Sequence, residues 1–273
     1  MASVATLSTK LNSWDQDGVL ILRNLFCADS ISEINATVDK LWQDREFLLP
    51  KIVIDTHIQS GQSFRQLLKY TSLESRQYPY KLNAIYLEEP SVRDMILNEA
   101  LCQHLAALLD GTPMVFNSLN FEYGSQQHNH RDTLFMPPRV ANKMVVSWIA
   151  LEDVSLDNGP VRYYPGSHKI APFRFSNGKQ NAVQSELHEF DAYMKQAMLE
   201  REIKPAAFEA NAGDVLTWHS ELLHGGSAIL DRQATRKSLV THYYRKQDYR
   251  HRFWQIKKQH ADGCYLKWSH QSI

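Results

Sequence analysis

The sequence predicts a mainly β fold in which helices pack against the outside of one β core. Beyond residue 111 the chain divides into short segments rich in β-branched and aromatic residues, separated by turn residues such as Asn, Gly and Pro. Before residue 111, apolar residues recur mostly at the spacing of a helix face. Several short strands with such turns between them are typical of an antiparallel sandwich or barrel.

Residues 1–111 are expected to be mostly helical. Thr6–Gln16 is a candidate for a short helix, and the apolar run Gly18–Phe26 predicts a strand. We interpret this part as helices packed on the β core and not as a second, independent domain.

Two sequence patterns predict where the longer helices of this part begin and end. Ser30 and Glu33 have the spacing of a capping box, in which each side chain hydrogen-bonds to a free backbone N–H of the first turn. Ser91 and Asp94 repeat the pattern before a second apolar stretch. Gly111 is expected to end that second helix, because glycine readily adopts the left-handed conformation that follows many helices.

The remaining chain is expected to form the rest of a single domain that spans 1–273. We predict a β core over 112–246, a helical insertion at 171–205 and a C-terminal extension at 247–273. Ser185–Ile203 is the helix expected within the insertion, where it could form a lid. The predicted core strands are Val115–Tyr123, Lys143–Val154, Val161–Tyr164, Asp214–Trp218 and Ser238–Tyr244.

Composition argues against a nucleic-acid-binding protein, a membrane-spanning protein and a zinc-thiolate site. Lys and Arg together number 30, as do Asp and Glu, so the formal net charge is zero and no basic excess suggests a nucleic-acid partner. The sequence has no run of about 20 apolar residues that could span a membrane. The three cysteines lie far apart, without the CxxC spacing of zinc sites. We expect a cytoplasmic protein that acts on a small molecule; the oligomeric state is not predicted.

The candidate chemistry begins at His130-Arg131-Asp132. On an extended chain, His130 and Asp132 share a face and lie roughly 6–7 Å apart. His224 is the best candidate for a third ligand. Two imidazoles and one carboxylate leave coordination positions open, as in the non-haem Fe(II) oxygenases. An HxD pattern alone is common by chance, so this hypothesis depends on the surrounding sequence.

Arg236 lies twelve positions beyond His224, at the start of a predicted strand. Its planar guanidinium can hold a carboxylate through two parallel hydrogen bonds. Ser238, two residues on, would share its face. Such a pair could anchor the far carboxylate of a 2-oxo acid that chelates the metal, although a lone arginine is more often a surface residue.

Taken together, these segments resemble the phytanoyl-CoA dioxygenase family of 2-oxoglutarate oxygenases. The match spans most of the chain in the family's order, and the segment around Asn158-Gly159-Pro160 and Pro165-Gly166-Ser167 is its most specific part. The segments that carry the resemblance are Trp14–Leu22, His130–Asp132, Val146–Asp153, Asn158–His168 and Gly213–Ser238.

The resemblance implies a double-stranded β-helix core of the jelly-roll, cupin-like type. It also implies that Fe(II), 2-oxoglutarate as cosubstrate and O2 take part in the reaction. The residues that it implicates are His130, Asp132 and His224 as catalytic metal ligands, and Arg236, Ser238, Trp148 and Asn117 as contacts to the cosubstrate, with Asn120 as the alternative to Asn117.

The expected reaction is hydroxylation of an unactivated C–H bond of a small organic molecule, with release of succinate and CO2. The carboxylate of Asp132 disfavours halogenation, because halogenases of related type have a small residue there. Desaturation and cyclisation remain open, as does a metal-binding cupin-like protein without oxygenase activity, or a catalytically inactive interaction module.

His168 and His219 are interpreted as structural. His128 could share the face of His130, but the resemblance places the ligand at His130. Arg131 is expected to point away from the metal, where it would support the site or contact an anionic substrate. Phe135, Met136 and the 171–205 segment are expected to shape the substrate pocket. The sequence does not identify the substrate.

Overall fold

A computed structural model describes residues 12–48, 51–56, 63–231 and 233–267, and within 251–254 it describes the backbone alone. Its largest element is a ten-stranded sheet in which eight strands follow the order β1-β9-β6-β11-β5-β4-β2-β3. All neighbours on this path are antiparallel. These strands are β1 (Val19–Leu22), β2 (Val53–Thr56), β3 (Phe64–Leu67), β4 (Tyr80–Asn83), β5 (Pro113–Phe121), β6 (Met144–Ala150), β9 (Val215–His219) and β11 (Ser238–Arg245).

A second, three-stranded sheet packs against the inner face of the first. It has the order β10-β7-β8 and comprises β7 (Val161–Tyr163), β8 (Ala206–Phe208) and β10 (His224–Gly226). Trp148 and Leu216 of the large sheet share one buried cluster with Val161 and Phe208 of the small sheet. The core is thus a two-layer sandwich, as expected when each sheet buries one apolar face.

Helices cover the outer face of the large sheet. They are α1 (Ala28–Gln43), α2 (Pro90–Ile96) and α3 (Glu99–Leu109). A fourth helix, α4 (Leu187–Glu200), lies in the insertion that connects β7 to β8 in the sequence. On α1, Ile34, Val38 and Leu41 are buried at helical spacing. Across the described ranges, no helix combines the length and apolar character needed to cross a lipid bilayer.

The helix ends differ from the predictions. Helix α1 begins at Ala28, and its N-cap residue is Cys27, whose side chain makes no capping hydrogen bond. The predicted capping box of Ser30 and Glu33 is therefore wrong. The second predicted helix is two helices, and the Asn98 side chain caps the second of them. That helix ends at Asp110 in the left-handed conformation, one residue before Gly111. Short polar side chains can cap a helix at neighbouring positions, so sequence spacing alone did not place these ends.

The β structure extends further towards both chain ends than predicted. Strands β1 to β4 of the N-terminal part join the large sheet, so that part is not only a helical layer. Within the C-terminal extension, β12 (Ile256–His260) and β13 (Gly263–Leu266) form a hairpin, and β13 pairs in parallel with β5. The first predicted helix, Thr6–Gln16, is helical over its residues 12–16, and the helix continues to residue 17. Its residues 6–11 and the final residues 268–273 lie outside the described ranges.

Gly213 forms the turn before β9 and links that strand to the N-terminal segment. Its φ is +92°, and a Cβ atom there would lie 2.1 Å from the carbonyl oxygen of Phe26. The amide of Phe26 in turn donates to the carbonyl of Gly213. Only glycine permits this close approach of two backbones.

We expect Gly213→Ala to lower the free energy of unfolding in two ways. An alanine in the left-handed conformation costs about 1–2 kcal/mol. The steric clash of its Cβ with the carbonyl oxygen of Phe26 adds about 1–3 kcal/mol. Gly178→Ala is the matched control, since Gly178 also has a positive φ, +72°, but nothing lies within 4 Å of its would-be Cβ. Chemical denaturation measures both, and equal losses would contradict the role of the Phe26 contact.

Candidate metal and anion site

The structure brings His130, Asp132 and His224 together at the mouth of the sandwich. One ligand atom from each lies within 4.8 Å of the other two. Oδ1 of Asp132 is 3.7 Å from Nε2 of His130 and 3.8 Å from Nε2 of His224. The backbones of His130 and His224 also pair with each other, through two hydrogen bonds of 2.8 and 3.0 Å. That pairing sets two of the three side chains next to each other before any metal binds.

Both imidazoles are held with Nε2 directed to the centre. Nδ1 of His130 lies 2.8 Å from the carbonyl oxygen of His128, and Nδ1 of His224 lies 3.0 Å from that of Leu222. A carbonyl can only accept, so each Nδ1 carries the hydrogen and each Nε2 presents its lone pair. Metal-binding histidines are commonly oriented in this way.

Burial and the neighbouring groups favour a negative carboxylate on Asp132 and a neutral imidazole on His130. Burial alone would raise the pKa of Asp132, but His224, His242 and His130 outweigh it and lower that pKa below its usual range. Burial, with a smaller effect of His224, lowers the pKa of His130 to about 4. At neutral pH both groups therefore stand in the protonation state that binds a metal ion.

The second oxygen of Asp132 is held by Trp218. The indole Nε1–H donates to Oδ2 over 2.8 Å, inside the core. Trp218 lies on β9 and points to the inner face, two residues beyond Leu216. Its indole ring also lies against that of His224, with centroids 4.6 Å apart.

Arg131 points away from the centre, as expected from the alternation of an extended chain. Its guanidinium is 3.3 Å from Glu221 and donates to the carbonyl oxygens of Ser167 and Ile170 at 2.8 and 3.0 Å. It is almost completely buried. Because those contacts engage it, the alternative of contact with an anionic substrate is wrong; it ties the candidate ligand segment to the start of the insertion.

Arg236 is a buried cation without a carboxylate partner in the described part of the chain. It is 3% exposed, and one terminal nitrogen donates to the carbonyl oxygen of Gly159 at 3.0 Å. Among described residues its Nε has no hydrogen-bond partner. Burial lowers the pKa of Arg236 to about 10, against the effect of Glu152, so it stays charged at neutral pH.

A narrow cavity connects Arg236 with the three candidate ligands. Trp148 forms part of its wall, with its ring centroid 5.8 Å from the guanidinium carbon of Arg236. The described residues that line this cavity are Leu119, Phe121, Ser125, Gln127, His130, Asp132, Trp148, Val161, Trp218, His224, Gly225, Gly226, Arg236, Val240 and His242.

The remaining predicted contacts lie beside this cavity. Ser238 and Asn117 are buried on its sheet face, and in the described chain neither Ser238 Oγ nor Asn117 Oδ1 has a partner. Asn120 is wrong as an alternative, because it lies on the opposite face of β5, in a separate crevice with Arg76 and Glu122. Strand alternation places neighbours of odd separation on opposite faces.

The other histidines lie outside the metal cluster. His219 and His168 face each other at 5.2 Å between ring centroids, and His219 Nδ1 accepts from the amide of Glu221. His128 is exposed and reaches the site through its carbonyl. The metal cluster therefore contains His224 and not His219.

A larger cavity of about 770 Å³ adjoins the narrow one and shares His130 with it. The insertion contributes Leu187 and Phe190 to its wall. Phe135 lines it 52% exposed, with its ring centroid 5.9 Å from that of His130. Met136 does not line it; its side chain packs with the cluster around Met144.

Sequence reasoning missed His242 and Trp218, which both approach Asp132. His242 lies six residues beyond Arg236, an even separation that puts it on the same face of the strand. That alternation was the available signal. No comparable signal marked Trp218, whose partner is 86 residues away in sequence.

Comparison with known proteins places this arrangement in a family. The model of the family described as Phytanoyl-CoA dioxygenase (PhyH) matches residues 14–238. The peroxisomal phytanoyl-CoA dioxygenase of Mus musculus is 23% identical over 241 residues, which are 84% of this chain and 66% of that protein. The chain thus spans just under two thirds of that relative's length.

Two solved structures show the same fold. The epimerase SnoN, in complex with Fe3+, alpha ketoglutarate and nogalamycin RO, has a TM-score of 0.65 at 16% identity, covering 89% of this chain and 85% of its own. EctD from S. alaskensis, with 2-oxoglutarate and 5-hydroxyectoine, has a TM-score of 0.61 at 18% identity, covering 90% and 77%. The predicted mainly β fold with a double-stranded β-helix core is confirmed.

Proposed function

The chain belongs to the phytanoyl-CoA dioxygenase family, and from this membership and the site geometry we propose that it is an Fe(II)- and 2-oxoglutarate-dependent oxygenase. Its proposed substrate is a small organic molecule, and the proposed outcome is hydroxylation of an unactivated C–H bond, with succinate and CO2 as the coproducts.

The observation that carries this proposal is the buried guanidinium of Arg236, which lies in the same cavity as the metal cluster and has no carboxylate partner in the described part of the chain. An uncompensated buried charge costs several kcal/mol, so this position is suited to an anion that arrives from solution. A dicarboxylate with a 2-oxo group satisfies both ends of the cavity. Its far carboxylate would take the free N–H groups of Arg236, helped by Ser238, while its oxo-acid end reaches the metal.

The donor set fits ferrous iron. Two imidazole nitrogens and one carboxylate oxygen converge from one side, as in the 2-His-1-carboxylate sites of non-haem Fe(II) oxygenases. When bound, Fe(II) with 2-oxoglutarate and O2 supplies the oxidising chemistry. The chain itself keeps Asp132 charged and His130 neutral, would position the cosubstrate through Arg236 and Trp148, and would keep metal and cosubstrate in a largely buried pocket.

Hydroxylation is the outcome we favour, since Asp132 keeps the carboxylate that halogenases lack. Neighbouring structures on the same fold include one called an epimerase and one that holds 5-hydroxyectoine. The fold therefore does not select one outcome, and desaturation or cyclisation is the alternative within the same site.

The larger cavity suits a compact polar substrate. Gln126, Gln127, Asn129 and Gln184 line it, and neutral amides of this kind both donate and accept hydrogen bonds. A long acyl chain would cover these groups without offering them hydrogen bonds. The exposed ring of Phe135, near His130, would contact the apolar part of such a substrate.

The first test is cosubstrate turnover by the wild-type protein under air, with Fe(II) and 2-oxoglutarate. We expect succinate to form, and His224→Ala to abolish its formation. His219→Ala is the matched control, since His219 is buried nearby but outside the metal cluster, and it should retain turnover. Metal binding by the wild type without any succinate would favour the cupin-like alternative.

Arg236→Met should weaken 2-oxoglutarate binding by at least about 100-fold, because two hydrogen bonds to a charged group contribute about 1.5–3 kcal/mol each. Metal affinity should change less than about threefold, since Arg236 is not in the metal cluster. Anaerobic calorimetric titration measures both affinities. Arg162→Met is the control, as that half-buried arginine contacts Asn129 outside the narrow cavity. Equal loss of metal and cosubstrate binding by Arg236→Met would rule out its assigned role.

Substrate polarity is tested by stimulation of succinate release. Small hydroxylated or amide-bearing compounds should stimulate release more than fatty acyl thioesters do. Phe135→Ala should lower kcat/KM for the stimulating compounds by about tenfold without changing 2-oxoglutarate affinity. Stimulation by acyl thioesters alone would show that the polar wall does not select the substrate.

A further inference from the structure

We propose that His242 is a positioning residue for the metal-binding carboxylate: its Nε2–H donates to Oδ1 of Asp132, opposite the indole that holds Oδ2. This inference rests on the proposed function for the identity of the metal site. It concerns a residue that is not a ligand and that would act through Asp132.

The placement of His242 follows from the register of the large sheet. Trp218 pairs with Val146, Val146 with His242, and His242 with Asn117, so these four residues form one row across four neighbouring strands. Trp218 and Val146 belong to the cluster on the inner face, which fixes the whole row on that face. Asp132 lies over this row and is contacted from β9 and from β11.

Trp218 and His242 therefore approach one carboxylate from two sides. Their backbones lie two strands apart, or about 10 Å. Trp218 Nε1 lies 2.8 Å from Oδ2, and His242 Nε2 lies 3.6 Å from Oδ1. A shift of about 0.6 Å brings the second pair to ordinary hydrogen-bond length. With both oxygens held, the carboxylate would keep one orientation, in which Oδ1 is 3.7 Å from Nε2 of His130 and 3.8 Å from Nε2 of His224.

His242 does not itself belong to the group of mutually close ligand atoms, which among described residues consists of His130, Asp132 and His224. It meets Oδ1 at 3.6 Å but lies outside the 4.8 Å cluster. Its geometry is that of a hydrogen-bond donor to a ligand, the arrangement by which ligating carboxylates are commonly oriented.

Asp132 is the described carboxylate that His242 approaches, with Nε2 3.6 Å from Oδ1. The side chain is 4% exposed, and in the described chain its Nδ1 has no hydrogen-bond partner. Buried polar atoms without partners are costly, so an apolar residue would serve better if the position were only a packing site. A carboxylate oxygen can only accept, so a hydrogen bond between the two groups places a hydrogen on Nε2 of His242.

Loss of this donor should weaken metal binding. Removal of a hydrogen-bonding partner of a metal ligand typically reduces metal affinity about 10–100-fold. His242→Phe removes the donor and keeps a planar ring, and His242→Met removes it with a flexible side chain. His242→Gln keeps an N–H donor at a similar reach and is the variant expected to rescue.

The experiment measures Co(II) affinity and the visible spectrum of the bound Co(II) for the full-length apoprotein, with 2-oxoglutarate absent. We expect 10–100-fold weaker Co(II) binding and an altered spectrum for His242→Phe or His242→Met. His242→Gln should stay within about threefold of the wild type. His219→Phe, which replaces another buried histidine outside the cluster, should leave Co(II) affinity unchanged.

The thermal unfolding midpoint shows whether His242→Phe and His242→Met are folded. The Co(II) affinity of the folded variant then tests the inference. Wild-type Co(II) affinity in that variant overturns the inference, as does an equal loss in His242→Gln. Neither result bears on turnover, which the wild type and His224→Ala test separately. Conversely, a wild type without succinate formation would refute the proposed function, whereas weaker Co(II) binding by His242→Phe would still support the positioning role.

Discussion

The site depends on keeping two opposite charges buried in one cavity without pairing them. The carboxylate of Asp132 is held by Trp218 Nε1 and surrounded by imidazoles, while the guanidinium of Arg236 donates to a carbonyl oxygen. Had the two met, they would have neutralised each other and left no place for a metal cation or an organic anion. Their separation makes the cavity receptive to one ligand of each charge, because uncompensated buried charges are costly.

The two-sheet architecture provides this separation. His224 lies on the small sheet, whereas Arg236 precedes β11 of the large sheet, and the cavity lies where the two layers meet. Close approach of the segment before His130 to β10 requires glycine at position 225, where a Cβ would lie 2.8 Å from the carbonyl oxygen of Gln127. That contact allows the backbone pairing of His130 with His224 and thus joins both imidazoles in one rigid unit.

Much of the candidate site followed from short-range patterns. The alternation of an extended chain placed His130 and Asp132 on one side and Arg131 on the other, and the structure has them so. Sequence patterns did not place the elements correctly where several neighbouring residues could cap a helix or where a strand was short. Helix α1 begins at Ala28 and not at the Ser30 capping box. Strands β2 to β4 have only four residues each, too few to stand out from the helical part.

The sequence by itself determined the kinds of group present and which neighbours share a face, because both follow from the residue and from the period of its strand. Tertiary structure alone decided that His242 joins His130 and His224 around Asp132, and that Arg236 has no carboxylate partner among the described residues. Asp132 meets Trp218 across 86 positions, and His242 reaches Asp132 from the strand that follows Arg236. Contacts of that range depend on sheet register and layer packing, which no local spacing encodes.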